Sequence, residues 1–532
     1  MTDLREAVNL ATGTVRVLRD IGILTPITPI RLARIPLQVA RFGFTPAVAG
    51  AMSALRYPDR VAVIDERGAI TYGELEARAA SQATALRELL GPDGKIGILC
   101  RNHRGFVEAV SAGSRLGHDV VFLNTDFSAP QLARVLENEG IAVLVHDEEF
   151  SPVVDACAFT GARFLAWHDA EEPALPTLDD LARTEAEPLV AGRAGRIVIL
   201  TSGTTGPPKG AAHEFGPAVL VSQGFGHLLR LPLRSGEPLL VCPPLFHGLG
   251  LTYLLTGLAL GSPLVLLRRF DARAALEAVA RHRAGAVIAV PVMLQRMLNV
   301  ENAPRLPSLR VVLSGGAALH PNLVRRFRRR FGEVLYNAYG ASETGWASIA
   351  TPDDLRAAPG TIGRPTLGVK TRILDSDGRP VPRGGIGTLY LDSGLEFRGY
   401  TGGGTKEFVD GLISTGDLGH ADEEGRLFID GRADDMIVSG GENVFPGEVE
   451  DLLEQHPEVA EVAVTGVDDE EFGQRLAAWV VRAPGSQITE ADLKAYVREQ
   501  LARYKVPRDV TFVEALPRTT TGKVRRKDLK GA

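Results

Sequence analysis

Leu200-Thr201-Ser202-Gly203-Thr204-Thr205-Gly206-Pro207-Pro208-Lys209-Gly210 is entered by the apolar run Ile197 to Leu200, and helical periodicity returns from Pro217. A short buried strand that opens into a loop of glycines and hydroxyls suits an anion cradle. Glycines let backbone N–H groups converge, Ser202, Thr204 and Thr205 add hydroxyl donors, and Lys209 adds a mobile positive charge. The spacing is not that of a Walker loop, because Lys209 precedes Gly210 and no hydroxyl follows it. Ordinary polar turns use the same residues, so the surrounding chain has to decide.

On both sides of this loop strand and helix alternate. Upstream, Val61 to Ile64 reads as strand, Thr71 to Glu74 as a capping box opening a helix to Leu90, and Lys95 to Leu99 as strand. A helix to about Leu116 and a strand from Val120 to Leu123 follow. Downstream, Ala272 to Arg283, Pro291 to Leu298 and Pro321 to Phe331 read as helices, with strands at Ala286 to Val290, Leu309 to Leu313 and Glu333 to Tyr336. That rhythm predicts a mainly parallel sheet covered by helices, with ligands beyond the carboxyl ends of its strands. From about Gly368 the pattern changes to short strands and tight turns, and from Gly447 to a compact α+β unit. The fold class is therefore α/β: a large N-terminal domain of parallel-type sheets with flanking helices and a β-rich subdomain, then a small α+β C-terminal domain. Residues 1–55 are expected to form an N-terminal arm, 56–432 the large domain and 433–532 the small one.

Composition narrows the chemistry. The 532 residues are 45% hydrophobic and 23% charged, with a net charge of −6, which offers no general attraction to nucleic acid. Cys100, Cys157 and Cys242 are far apart and lack metal-ligand spacing, as expected of inert thiols in a reducing cytoplasm. The first residues lack a secretory pattern, so the expected location is cytoplasmic. The apolar run Pro238 to Leu267 is broken by prolines and glycines and reads as a buried helix followed by a buried strand. The apolar, arginine-dotted stretch Thr14 to Ala51 suits either packing on the body or peripheral contact with the inner membrane face. Prolines 26, 29 and 36, which cut its helix short, favour packing. The cationic run Arg325 to Arg330 reads as a solvated helix face, with Phe327 and Phe331 as its apolar seam.

Four further stretches carry polar groups: Tyr339-Gly340-Ala341-Ser342-Glu343-Thr344-Gly345, Ser414-Thr415-Gly416-Asp417 in an expected turn, Gly431 to Asp435 leading into Ser439-Gly440-Gly441-Glu442-Asn443, and Pro517 to Lys523. Each alone is a plausible surface turn. In this order and spacing, from about Asp59 to Leu529, they resemble the adenylate-forming superfamily of acyl-CoA synthetases, luciferases and adenylation domains.

The resemblance implies a two-step reaction with ATP, Mg²⁺ and coenzyme A. A carboxylate attacks the α-phosphorus, pyrophosphate leaves, and a thiol then displaces AMP. Two anions meet in the first step, so positive charge at the α-phosphate is the central need. On the family pattern Lys523 supplies it. Thr201, Ser202, Gly203, Thr204, Thr205, Gly206 and Lys209 would hold the outer phosphates, and Glu343 the metal. Gly315, Gly316 and Ala317 with Asn337, Ala338, Tyr339 and Gly340 would form the adenine slot. Ser342 would touch the α-phosphate, and Asp417 with Arg432 would clamp the ribose. The resemblance also implies that the small α+β C-terminal domain is mobile: Asp434 aligns with the hinge, and Gly440 and Gly441 with the loop that serves the CoA step.

Among family members, His247 stands where amino-acid-activating domains place an aspartate, which argues against an amino acid; the resemblance gives it a gating role. Gly340 stands where acetate-activating relatives block the acyl tunnel with tryptophan. With Phe246, His247, Gly248, Leu251 and Trp346 lining the pocket, a medium- or long-chain fatty acid is the first expectation and an aryl or cinnamate-like acid the second. A fatty-acyl-AMP ligase, a luciferase-type oxygenase and a non-catalytic nucleotide-binding regulator are the rivals. Lys523 and Glu343, both present, weigh against the last.

Overall fold

The computed structural model describes residues 29–91, 93–191, 193–201, 209–213, 224, 226–341, 343–395, 397, 399, 405–432, 437–439, 442–469, 473–520 and 522–529. The expected elements from Tyr72 to Tyr336 form almost where the pattern puts them. Thr71 caps the helix Tyr72–Leu90 in a capping box with Glu74, and Pro291 and Pro321 open the helices Pro291–Leu298 and Pro321–Phe331.

Two parallel-type sheets make the body. In the nine-stranded sheet the six central strands are parallel, in the order 335–341, 311–315, 286–289, 239–241, 264–266 and 61–65, and antiparallel strands close both edges. The six-stranded sheet runs 162–167, 141–147, 95–99, 120–122, 197–201 and 209–213, antiparallel only at the last pair. Successive strand residues point to opposite faces. Ile96, Ile98, Val120, Phe122, Ile197 and Ile199 therefore join a core continuous with the larger sheet, while Leu99, Val121, Leu123, Val198 and Leu200 join a second core on the other face. Burial on both faces explains why these strands read as unbroken apolar runs.

The β-rich part is a five-stranded sheet whose neighbouring strands are antiparallel. The C-terminal part wraps the long hairpin Val459–Asp469 and Gly473–Arg482 with the helices Pro446–Leu453 and Glu490–Gln500. The short strands Ile437–Ser439 and Glu442–Val444 extend this sheet and carried no sequence signal.

Several expectations are corrected. Pro238 to Leu267 holds strand Leu239–Val241 before its helix Gly248–Ala259 and strand Leu264–Leu266. A strand of three residues between prolines is too short to announce itself, yet it pairs on both sides within the parallel sheet. Ser414 to Asp417 is not a turn but lies inside the strand Leu412–Ala421, and Tyr339 to Ala341 continues the strand Leu335–Ala341. Helix Pro29–Phe42 contains Pro36 instead of ending there, and Pro46 opens the helix Pro46–Arg56. Phe42, Ala47, Val48 and Ala51 are buried together, with Arg41 and Arg115 over the Phe42 ring. This part of the arm packs on the body. Among the described residues, no helix is long and apolar enough to cross a membrane.

Candidate active site

The site is assembled from one register pair outward. Antiparallel pairing of Leu412–Ala421 with Leu427–Arg432 sets Asp417 opposite Arg432. The Arg432 guanidinium lies 3.6 Å from the Asp417 carboxylate, and the Tyr339 hydroxyl donates to that carboxylate at 2.5 Å. Thr415 accepts the Asp417 N–H at 3.0 Å and donates to Leu389 O at 2.8 Å, so the carboxylate stands on a braced ladder. Gly416, with φ +77°, gives the strand the local twist that turns Asp417 toward this cleft. Burial pushes the Asp417 carboxyl up, and Tyr339, Arg432 and Lys523 pull it back.

Lys523 reaches the same place from the C-terminal part. A tight turn presents it: Thr519 N–H donates to Lys523 O at 2.8 Å, Gly522 N–H to Thr519 O at 2.8 Å, and the Arg518 side chain to Gly522 O at 2.8 Å. Gly522 has φ +78°, and a Cβ there would lie 2.6 Å from Val292 Cγ1 and 3.1 Å from Val290 Cγ2. The turn is thus seated directly on the carboxyl end of strand Ala286–Ala289. Lys523 keeps solvent-accessible surface while protein walls it on most sides, as for a group lining a cleft. That confinement and the Arg432 charge hold its ammonium below the ordinary lysine range, and Asp417 and Glu343 oppose them.

His247 precedes the helix Gly248–Ala259. It too borders the cleft: burial and the charge of Lys523 push it down to about 3, so the imidazole is neutral, and its buried Nε2 has no hydrogen-bond partner among the described residues. The segment leading to it is clamped by Asn102, whose amide donates to Pro243 O at 2.9 Å and accepts Leu245 N–H at 2.9 Å. Asn102 is held in turn by its neighbours, since Asp147 accepts Arg101 N–H at 2.9 Å and bonds His103 Nε2 at 2.8 Å. Cys100, His103 and Asp147 lie close enough together to hold a metal ion. But both His103 nitrogens are engaged, Nδ1 by Gly105 N–H, and burial raises the Cys100 thiol, so the cluster works as a brace.

Trp346 closes the floor. It is buried, donates from Nε1 to Thr252 Oγ1 at 2.9 Å and meets His227 edge-on at 6.0 Å between ring centres. A Cβ on Gly315 would touch Trp346, Leu249 and the Ala338 carbonyl, so Gly315, Ala338, Leu249 and Trp346 share one wall. Gly316 adopts φ +80° just beyond the strand, and Asn337 donates to Thr361 O at 3.2 Å. Gly248 faces open space, while Phe246 and Leu251 are buried beside it in sequence. Gly340 is glycine for a different reason than the one expected. A Cβ there would stand 2.4 Å from the Gly345 carbonyl oxygen, so a side chain would meet the adjoining strand and not an open tunnel.

The expected site residues Ser202, Gly203, Thr204, Thr205, Gly206, Ser342, Asp434, Gly440 and Gly441 lie outside the described residues. Thr201 and Lys209 are register partners where the two strands flanking that loop meet. His227, Thr252, Thr361 and Asn102 were not anticipated. None sits in a motif, and only the folded chain brings them to the site.

A carboxylate, a guanidinium and a lysine carried in from a separate C-terminal unit meet near the carboxyl ends of parallel strands, a set that suits an acid-activating, nucleotide-dependent enzyme. The chain belongs to the AMP-binding enzyme family: that family's model matches residues 51–401, and the AMP-binding enzyme C-terminal domain matches 448–523. It is 31% identical to the fatty acid–[acyl-carrier-protein] ligase ScoC of Streptomyces coeruleorubidus, over 89% of this chain and 93% of that protein. It is 34% identical to a feruloyl-CoA synthase of Amycolatopsis sp, over 89% and 96%. The structure of the o-succinylbenzoate CoA synthetase MenE from Bacillus subtilis, in complex with its acyl-adenylate intermediate, matches with a TM-score of 0.79 and 29% identity, over 91% of this chain and 98% of that one. The fold and the enzyme class, an AMP-forming acid–CoA ligase, follow.

Proposed function

We propose that this enzyme activates an aromatic carboxylic acid as its acyl-adenylate and passes the acyl group to coenzyme A. The observation that carries the reading is the seating of the Lys523 turn, through Gly522, on Val290 and Val292, which brings Lys523 within electrostatic reach of Asp417 and Glu343.

In the first step an acid carboxylate oxygen bonds to the α-phosphorus of ATP as the bond to pyrophosphate breaks. Lys523 neutralises charge at that phosphorus, which is where preorganised electrostatics contribute most. Asp417 and Arg432 hold the ribose, and Asn337 to Gly340 with Gly315 to Ala317 border the adenine. The strands ending at Thr201 and starting at Lys209 flank the loop that takes the outer phosphates, and Ser342 takes the α-phosphate. Glu343, an oxygen donor on the hairpin beside the cleft, suits Mg²⁺, which neutralises the phosphates when bound. In the second step the CoA sulfur bonds to the acyl carbon and AMP leaves with the electron pair. Gly440 and Gly441 guide this step, with Asp434 as the pivot between the arrangements. His247, kept neutral, contacts the carboxyl end of the acid without repelling Lys523.

The ring preference replaces the first expectation of a fatty acid. The Gly340 glycine answers a backbone approach, and Trp346 and Phe246, with the imidazoles of His227 and His247 beside them, make the expected acyl pocket rich in rings, which favours a ring substrate. The fatty acid ligase relative keeps long-chain acids as the competing substrate. A panel of benzoate-, cinnamate- and fatty-type acids, read by exchange of labelled pyrophosphate into ATP and then by CoA consumption, decides. Ring acids are expected to exceed fatty acids by about tenfold, the order that one or two well-packed contacts provide. A preference for long saturated acids would overturn the ring assignment, and the absence of exchange with every acid would overturn adenylation.

A further inference from the structure

The body and the C-terminal part meet at a second place, away from the cleft. His320 occupies the N-cap position of the helix Pro321–Phe331 with its side chain turned elsewhere, and its Nδ1 lies 2.6 Å from the Asp451 carboxylate and 3.5 Å from that of Glu454. Asn322, the second residue of the same helix, donates to the Glu454 carbonyl at 2.8 Å, and Gln295 donates to the Ala460 carbonyl at 3.0 Å. The body side thus offers one imidazole and two amides to the helix Pro446–Leu453 and the strand after it.

That helix is wired to Lys523. Glu450, one residue before Asp451, accepts Val464 N–H at 2.7 Å and binds Arg526 through both carboxylate oxygens, at 2.6 and 2.9 Å. Arg526 also donates to Val464 O at 3.2 Å and follows Lys523 by three residues. On the other flank of the turn, Arg518 pairs with Glu461 at 2.8 Å. A displacement at Asp451 therefore moves Glu450, Arg526 and the lysine turn together.

We propose that His320 is a positioning residue for adenylation: its ion pair with Asp451 and Glu454 latches the C-terminal part so that Lys523 sits in the cleft. The inference rests on the two-step reading above. The latch serves the first step, which needs Lys523, and not the second, in which the CoA thiol needs the approach that the turn on Val290 and Val292 occupies. The two carboxylates raise the imidazole to about 9 against the effect of burial, in keeping with a cation held between them.

The test separates the half-reactions in the full-length enzyme. His320→Ala is expected to slow pyrophosphate exchange about tenfold, the effect of losing one partly buried charged contact, while discharge of supplied acyl-adenylate to CoA stays within about twofold. Asp451→Asn should act alike, the double variant should be no worse than either single one, and His320→Lys, which keeps a cation, should recover most of the exchange. Equal losses in both half-reactions, or no loss of exchange, would overturn the latch. Backbone hydrogen exchange supplies a readout independent of any substrate. In His320→Ala, protection should fall in Pro446–Leu453 and in the turn Arg518–Val524 while the central body strands are unchanged. If the parent enzyme activates no acid, the two-step reading fails, and the latch is still judged by this protection: an unchanged pattern overturns it.

Discussion

Asp417 and Lys523 face one another across a single cleft, yet their positions have different origins. Asp417 is fixed by a β-ladder, with Arg432 opposite in register, Thr415 bonded beneath it and Tyr339 bonded to its carboxylate. Lys523 hangs from a turn whose seat is two valines and whose alignment depends on a few polar contacts elsewhere. Continuous sheet hydrogen bonding gives one wall of the cleft a fixed geometry. The other wall is a docked surface, and docked surfaces between parts of one chain are small and polar enough to open. On the proposed reading, a nucleotide site built this way keeps its ribose contacts while it exchanges the group that faces the α-phosphate.

The largest effect should come from the movable wall. Lys523→Ala is expected to lower pyrophosphate exchange about 10³-fold, the upper range for removing one preorganised charge from a transition state. Use of preformed acyl-adenylate should be largely spared, because the fixed wall is untouched. If both half-reactions fell together, the division of labour between the walls would be wrong.

The fixed wall answers differently. Asp417→Asn removes the charge that Arg432 and Tyr339 share and should raise KM for ATP about 10- to 100-fold, the range for losing a charge-assisted hydrogen bond. Both half-reactions use the same adenosine and should suffer alike. A loss confined to the first step would mean that Asp417 acts on Lys523 and not on the nucleotide.

The two walls also differ in how far the sequence revealed them. Parallel strands buried on both faces announce themselves as apolar runs, which is why the elements around Ile197 and Ala286 were legible. Ser414 to Asp417 has the composition of a turn, but its residues serve a twist inside a strand, with Gly416 supplying the positive φ. Turn formers in a row mark a departure from ideal backbone and do not say whether the chain reverses. Gly340 was legible as special but not for its cause, since the Gly345 carbonyl that excludes a side chain is brought close by the hairpin itself. Lys523 could be picked out by resemblance to a family motif. His320, Asn322, Asp451 and Gln295 could not, because a contact between surfaces 131 residues apart in the chain leaves no local pattern.

The smallest expected effect is a pH dependence that belongs to the movable wall alone. His320 titrates near 6.5 when unpaired and is raised to about 9 beside Asp451, Glu454 and, farther off, Glu450. A raised value in the docked form means that docking takes up a proton. The latch is therefore at full strength below about 6.5, weakens as pH climbs, and is lost through about 9. Glu454 titrates within that window: burial and the neighbouring Asp451, Glu450 and Glu461 carboxylates push it up to about 7, against the pull of His320, so Asp451 is the main partner near neutrality. Arg526 and Arg518 answer Glu450 and Glu461, leaving the imidazole and Glu454 as the groups whose charge changes at the contact itself. Lys523, held below its ordinary range, also loses charge as pH rises. The measurement is accordingly a ratio, adenylation by the parent enzyme over adenylation by His320→Gln, in which the Lys523 contribution cancels. It should fall about threefold between neutral and strongly alkaline pH, a modest change because the pair is partly open to solvent. A flat ratio would show that the imidazolium does not hold the wall in place, and would leave Asn322, Gln295 and the valine seat to account for docking.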